Sequence, residues 1–359
     1  MNLQEALLLI GHGQSINGED FARQTIEGVE FIEATFMRCN FQGTRFVGCT
    51  LSQSSFILCN LSGARFEACT FRDTQAMLGK AEFTRFNACT FASTTFMKVA
   101  APASDFSESM FETAHFMCCD LNGAIFRDAV IERAGLMEST LQGIDLTNVH
   151  IYRALISQAD LRPAKLDGAT FQQVLIINGN LAHRDLSKQT FRECLMADAD
   201  LEQVVFAGAD LTQTSFINCN LRLANFNDAK FALAMLVGSD LSGAKLEKVD
   251  LTNAVFANAT AKGTSFVGSR LGMAVFDHAD LQAARFEGTE LRYADFSNAD
   301  CQAANFANAK FELTKVHGTR FDGALLDGAT GSTVPTNEPR LVAQAYNPKS
   351  VVLDGDARP

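Results

Sequence analysis

An apolar residue, nearly always a large one, recurs at every fifth position from Phe21 to Leu326 without a change of register. These are the positions whose numbers end in 1 or 6, and Phe occupies 29 of the 62, Leu 21 and Ile five. Small residues such as Ala34, Cys39 and Thr44 recur two positions before the apolar ones. A period of five fits neither the 3.6-residue turn of a helix nor the alternation of a strand, so the pattern indicates a structural repeat.

The five-residue unit predicts a coil. Residues two apart lie on the same side of an extended backbone, so the small and the apolar residue point inward and the residue between them points outward. Two residues remain in each unit, and they can turn a corner. A chain that turns after every unit closes into a coil, and coils stack at about 4.8 Å through strand-type hydrogen bonds. We therefore expect an all-β solenoid.

The outward residues indicate how many sides a coil has. Large apolar residues recur outward at a spacing of 20, whereas steps of 15 from Met37 reach Ser52 and Glu67. Four units therefore make one coil, and 62 units make about 15 coils in a rod of about 70 Å. The residues at the 20-residue spacing are Met37, Ile57, Met77, Met97, Met117 and Met137.

Several units match a known family motif. Ala159–Leu161, Ala209–Leu211 and Ala279–Leu281 each read Ala-Asp-Leu, and the chain resembles the pentapeptide-repeat family, whose motif is A(D/N)LXX. The resemblance covers most of the chain. It implies a right-handed quadrilateral β-helix, in agreement with the square cross-section.

The flanks do not repeat. In 1–20, Leu3, Ala6, Leu7 and Ile10 have near-helical spacing, and they predict a short helix that caps the first coil. The β-helix is expected over 21–330. The tail, 331–359, contains four of the six Pro and is predicted to be extended or partly disordered.

The repeat weakens at 76–84 and 99–104, where central positions fall to Ala. Each segment is either a loop or a poorly filled coil. We favour a loop for 99–104, because Pro102 cannot donate to a coil-to-coil ladder. Pro163 lies at a corner and is expected to be harmless.

The composition excludes several classes of function. The net charge is −11, Trp is absent and only three Tyr occur, so we expect no direct nucleic-acid binding. The apolar run from Leu7 to Ile10 is too short for a signal peptide or a membrane span, which favours the cytoplasm, with export by a non-classical route left open. Eight of the ten Cys occupy the small inward column, where Cys serves as a small apolar residue; zinc or disulfides are the alternatives.

No pattern indicates catalysis. Gly11 and Gly13 lack the context of a dinucleotide loop, and the six His are scattered without ligand spacing. The Asp residues recurring every 40 from Asp120 to Asp280 occupy the polar position of the motif, where they are expected to shape the coil. We expect no enzyme, no catalytic residue, no cofactor and no metal site.

One face of the rod is predicted to be apolar. Its outward residues form an exposed strip, which we call the apolar strip, and exposed strips of this length mark binding surfaces. We predict that it binds a protein partner or a second copy in a homodimer, unless the N-terminal helix or the tail covers it. The strip consists of Met37, Ile57, Met77, Met97, Met117, Met137, Leu155, Leu175, Ile177, Leu195, Ile217, Met235, Val237, Val255 and Val275.

The leading functional prediction is a bacterial, non-enzymatic scaffold for protein–protein interaction. The family resemblance implies two alternatives: a DNA-mimicking modulator of DNA gyrase, and an accessory or effector component of a secretion system. DNA gyrase is the weaker candidate partner, because Arg45, Arg65 and Arg85 are expected to stack in one column and no face is uniformly acidic.

Overall fold

The computed structural model describes residues 1–334, which form one parallel β-solenoid of about 16 turns with a short N-terminal helix. The predicted fold is confirmed. Most of the predicted tail, 335–359, lies outside the described residues.

Main-chain hydrogen bonds join each coil to its neighbours at a spacing of 20 residues. Phe36 pairs with Phe56, and Arg45 pairs with Arg65. The Arg45 amide donates to Gln24 O of the preceding coil at 2.8 Å, and the Phe41 amide donates to Asn60 O of the following coil at 2.7 Å. This register confirms the four-sided coil.

The four faces follow one another around each coil and are named A to D. Each face is identified by its outward residues in one coil: Thr35 and Met37 on face A, Asn40 and Gln42 on face B, Arg45 and Val47 on face C, Thr50 and Ser52 on face D.

Face A carries the longest continuous sheet in the described part of the chain. Its eleven strands are Ile16–Asn17, Thr35–Met37, Ser55–Ile57, Gln75–Met77, Thr95–Met97, His115–Met117, Gly135–Met137, Leu155–Ser157, Leu175–Ile177, Leu195–Ala197 and Ser215–Ile217. Isolated bridges such as Met235↔Val255 continue the pairing beyond that sheet.

The other faces have fewer regular strands. Face D has seven strands: Thr70–Arg72, Thr90–Ala92, Met110–Glu112, Val130–Glu132, His150–Tyr152, Thr170–Gln172 and Thr190–Arg192. Face C has three: Thr25–Glu27, Arg45–Val47 and Arg65–Glu67. Face B is held by isolated bridges, and Lys310–Lys315 pairs with Thr330–Val334 near the C-terminal end.

The corners lie at positions ending in 3 and 8, and their backbone is left-handed. Leu58 has φ 55° and Gly63 has φ 68°, and 45 non-glycine residues share this conformation. A left-handed L-residue costs roughly 1–2 kcal/mol. The solenoid offsets this cost because the corner amide joins the ladder; Leu58 N–H, for example, donates to Met77 O at 2.8 Å.

The core consists of stacked rings flanked by small residues. Phe46 and Phe66, one coil apart, stack at 4.5 Å with planes 4° apart, whereas Phe86 and Phe91 on adjacent faces meet at 70°. The small inward residues hydrogen-bond to the preceding coil, as when Thr44 Oγ1 donates to Phe21 O at 2.7 Å. Thr, Ser and Cys therefore suit this column, because each has a donor that reaches a buried carbonyl.

The N-terminal helix spans Leu3–Gly11. Asn2 caps it, and the Asn2 side chain accepts from the Glu5 amide while Glu5 reaches back to the Asn2 amide. Ala6 is fully buried against the core end, which places the helix over the first coil, beside Ile16–Asn17. The predicted cap is confirmed.

Both weak segments remain in the coil, so the loop predicted for 99–104 is wrong. Ala101 is buried and its amide donates to Asp120 O at 2.8 Å. Pro102 does no harm because it lies on face B, where amides at positions ending in 2 bond side chains rather than the ladder; the Asn122 amide, one coil on, donates to Asp120 Oδ1. Residues 76–84 likewise continue the coil, with Ala81 buried.

Pro163 is not harmless, contrary to the prediction. It is the only corner between Gly13 and Gly328 without a positive φ, since proline is confined to φ near −65°. The ladder bonds from Leu141 N–H to Asp160 O and from Gly143 N–H to Arg162 O are missing from this described part of the coil stack. The corner carbonyl Arg162 O instead accepts from Arg184 Nη1 at 2.6 Å.

Candidate apolar interface

All fifteen residues of the apolar strip lie on face A. Met97 pairs in register with Met77 on one side and Met117 on the other, and Leu155, Leu175 and Leu195 form a second column two residues earlier along the strands. Most strip side chains are half-buried because they pack along the ladder, while Leu175 and Met235 are 41% and 40% exposed. The structure therefore brings together every predicted strip residue.

Sequence reasoning missed apolar residues at the corners. Leu58 and Leu78 are 44% and 50% exposed and border the strip after its Met column, whereas Leu233 and Met273 are 47% and 49% exposed and border its C-terminal half from the opposite corner. The strip thus runs diagonally across face A. The signal was present in the sequence, since these residues interrupt corner columns that are otherwise mostly polar.

The two outward columns of face A carry no charged residue from Thr35 to Ala257. The first charges beyond this span are Asp277 and Asp295. The most polar group inside it is the His115 ring, whose buried Nδ1 has no hydrogen-bond partner within the described residues. Twelve consecutive coils therefore present an uncharged flat surface.

The N-terminal helix does not cover this surface, since it packs on the core end beside Ile16–Asn17. The other predicted cover of the strip is the tail, and most of the tail lies outside the described part of the chain.

Face B carries the recurring Asp residues, and their environment is structural. The Oδ1 of Asp120, Asp160 and Asp240 accepts the amide of the residue two positions later. Hydrogen bonds from Arg162, foremost among several causes, lower the pKa of Asp160 to about 2. Cationic side chains on face B form ion pairs with these Asp residues, as Lys262 does with Asp280 at 3.0 Å. Face B is therefore not a uniformly acidic surface.

The most buried acidic group lies on face C. Asp145 is 2% exposed and forms ion pairs with Arg127 at 2.7 Å and Lys165 at 3.4 Å, in the coils on either side. Burial by itself would raise the pKa of Asp145, but hydrogen bonds from Arg127 and Thr147 outweigh it and lower the pKa to about 2. The three coils are thereby tied together, which is a structural role.

Cavities in the described part of the chain, residues 1–334, include three of several hundred Å³. One of about 600 Å³ lies beside Lys230, Lys248 and Arg270. One of about 360 Å³ lies at Pro163, and one of about 410 Å³ lies at the C-terminal end, next to Phe311 and Phe321. None adjoins the strip.

All ten cysteines are free thiols, of which Cys118 alone is exposed. Within residues 1–334, no group of three or more ligand-type side chains is placed to hold a metal ion. No helix in that same range has the length and apolarity needed to cross a membrane.

Comparison with protein families gives two matches. Pentapeptide repeats (8 copies) match residues 34–73, 114–151, 194–232 and 205–243, and the pentapeptide repeat region matches residues 239–321. Curated proteins give no significant match.

Solved structures of pentapeptide repeat proteins are also similar. One from the thylakoid lumen of Arabidopsis thaliana is 33% identical, with 30% of this chain and 74% of that chain covered and a TM-score of 0.27. QnrB1, a plasmid-mediated fluoroquinolone resistance protein, is 18% identical, with 57% and 92% covered and a TM-score of 0.37. HetL, involved in heterocyst differentiation regulation in the cyanobacterium Nostoc sp. strain PCC 7120, is 18% identical, with 92% and 94% covered and a TM-score of 0.18.

Proposed function

The chain belongs to the pentapeptide-repeat family, and we propose that it is a non-enzymatic rod that binds protein through the apolar strip. The observation that carries the proposal is the run of twelve coils in which both outward columns of face A lack charge. Contiguous exposed apolar surface on this scale is characteristic of interaction sites.

The shape of the surface indicates the class of ligand. Small molecules bind in concave pockets that enclose most of their area, and none of the three cavities adjoins the strip. A flat surface of regular strands is suited to another flat protein surface, since sheets pack face to face about 10 Å apart. Methionine side chains adapt readily to such a partner.

DNA mimicry is not favoured by the charges. The Asp column of face B is interspersed with its own cations, including Arg162 and Lys262. On face C, Arg65 pairs with Arg45 of the preceding coil and forms a β-bridge with Arg85 of the following coil. Three cations therefore lie in one column of that face.

A pair of deletions tests the strip as one continuous surface. Removing the whole coil 121–140 keeps the two halves of the strip aligned, whereas removing only 121–125 keeps the core pattern but rotates every later residue by one face. A photo-crosslinking amino acid at position 97 reports contact, and the same group at position 92, outward on face D of the preceding coil, is the control.

We expect protein adducts from position 97 but not from position 92, retained after the 20-residue deletion and diminished after the five-residue deletion. Adducts that form equally from both positions, or that are indifferent to the five-residue deletion, would disprove the proposal. Far-UV circular dichroism verifies that both deletion variants keep the β-solenoid.

A further inference from the structure

We infer that residues 341–346 of the tail cap the open C-terminal end of the coil stack. The inference goes beyond the proposed function, because it concerns the end of the rod and leaves face A free. It rests on an uncovered core, on unpaired main-chain amides at the same end, and on the place where the tail begins.

The two ends of the core differ in their cover. At the N-terminal end the helix Leu3–Gly11 lies over the first coil, and the first core residues, Ile16 and Phe21, are each 1% exposed. At the C-terminal end Leu326, the last core residue of the repeat, is 50% exposed. Leu326 and Phe321 line the cavity of about 410 Å³. Side chains of the type that fills the buried core are therefore open to solvent at this end.

The main-chain edge of the last coil is open as well. In the preceding coil the Phe306 amide donates to Leu325 O at 2.7 Å, as the ladder requires. In the last coil, the equivalent amides have no hydrogen-bond partner among residues 1–334; they belong to Phe321, Gly323, Leu326 and Gly328. An occupant of this end should supply main-chain carbonyls as well as apolar side chains, and a peptide segment has both.

A further pentapeptide coil does not account for the cover. Lys310 pairs with Thr330 at the usual spacing of 20, but Thr314 pairs with Thr333 at a spacing of 19, so the register of the stack is lost here. The repeat itself also ends, because the small residue of each unit gives way to larger ones. They are Pro339, Gln344 and Lys349.

The chain itself leads to the open end. The Val316 amide donates to Val334 O at 3.1 Å, and Thr333 lines the cavity. Val334 is the last described residue, so the tail starts at the rim of the cavity. The first strongly apolar segment after it is 341–346, Leu-Val-Ala-Gln-Ala-Tyr, in which Gln344 is the one polar residue.

The segment is close enough to reach the cavity. Residues 335–340 join Val334 to the segment, and an extended chain of this length spans about 20 Å. One side of a coil, with three extended residues, measures about 10 Å. A short linker gives an effective concentration in the millimolar range. At micromolar protein concentration the tail should therefore occupy the end in preference to a second copy of the chain.

A cap at this position has a consequence for the rod. An open strand edge beside exposed core side chains is a template for end-to-end association of solenoids. With 341–346 in place, the described coils are covered at both ends, by the helix at one and by the tail at the other. Contacts with other proteins are then confined to the faces.

Photo-crosslinking of the purified full chain tests which segment lies at the end. A photo-crosslinking amino acid at position 326 should form adducts with 341–346 of the same chain, located by tandem mass spectrometry. Position 325 is the matched control, because Leu325 is 53% exposed in the same coil but points outward on face C. The adduct should migrate as a monomer in a denaturing gel, and tenfold dilution should leave its yield unchanged.

Hydrogen exchange tests whether the segment holds the end closed. In Leu341→Asp, the exchange rate of the Leu326 and Gly328 amides should rise more than tenfold, because an apolar cavity does not accept an unpaired carboxylate. Val352→Asp is the control, since it places the same charge in the later apolar run 351–353 and should leave these rates unchanged. Far-UV circular dichroism verifies that both variants keep the β-solenoid.

The possible results separate the occupants. Adducts within one chain from position 326 to 341–346, with faster exchange in Leu341→Asp alone, support the inference. Adducts that join two chains would show that a second copy covers the end, and the inference would be wrong. Adducts to 351–353, an absence of adducts to the tail, or exchange that Leu341→Asp does not alter would also overturn it. The proposed function is judged separately, by the adducts from position 97 on face A.

Discussion

Replacing Phe106 by Leu should destabilise the rod more than replacing Phe171 by Leu. Both side chains are at most 1% exposed, so the two substitutions remove similar buried apolar area. They differ in their aromatic neighbours. Phe106 contacts six rings at centroid distances from 4.8 to 6.3 Å, whereas Phe171 contacts one, Phe191, at 4.7 Å.

The expected difference follows from those contacts. A ring pair contributes about 0.5 kcal/mol beyond its buried area at the lower end of the range, and pairs beyond about 6 Å contribute less. Five additional pairs, two of them beyond 6 Å, therefore predict about 2 kcal/mol. Phe→Leu changes side-chain volume only modestly, so the cost common to both variants should be about 1 kcal/mol.

Urea unfolding followed by circular dichroism measures the difference, with all variants at one protein concentration because association adds to stability. Long repeat arrays can unfold in parts, so native-state hydrogen exchange should assign each loss to its own coils. Equal losses for Phe106→Leu and Phe171→Leu, with unchanged m-values, would show that ring stacking adds nothing to burial and would refute the reasoning.

Three further predictions concern single sites. Asp145→Asn should lower the free energy of unfolding by about 2 kcal/mol at pH 7, because the folded pKa of Asp145, about 2, lies below the ordinary 3.8. This contribution is present above pH 4 and is lost as the pH falls towards 2. The stabilities of wild type and variant, measured by urea unfolding, should therefore converge in acid. Pro163→Asn should restore a left-handed corner and an amide donor, raising stability by about 1 kcal/mol in thermal melts, and a loss of stability would contradict the assigned cause of the gap. A thiol reagent should modify only Cys118 in the native protein and all ten cysteines in denaturant; rapid reaction of Cys39 in the native protein would contradict its burial.

Much of the fold could be predicted from the sequence because each unit repeats the same local solution. The period of five sets the inward columns, the outward residues at a spacing of 20 set four sides, and the N-terminal helix follows from the spacing of Leu3, Ala6 and Leu7. The prolines could not be judged in this way. Pro102 and Pro163 differ in which amide they remove, and only the hydrogen-bonding pattern of the coils shows that the first amide is unused and the second is needed.

The candidate site was likewise predicted only in part. The strip residues share one face because residues 20 apart occupy equivalent positions on successive coils. Its diagonal course was not predicted, since the direction of the Leu58, Leu78, Leu233 and Met273 side chains depends on left-handed corners that periodicity does not specify.

The sequence by itself therefore determined the coil, its four faces and the apolar character of face A, because a repeat makes local spacing equivalent to position in space. Only the tertiary structure decided which corner residues extend the strip, where hydrogen bonds between coils are missing, and how Asp145 is held between Arg127 and Lys165. Those features depend on contacts between coils, and such contacts depend on the backbone geometry of both coils at once.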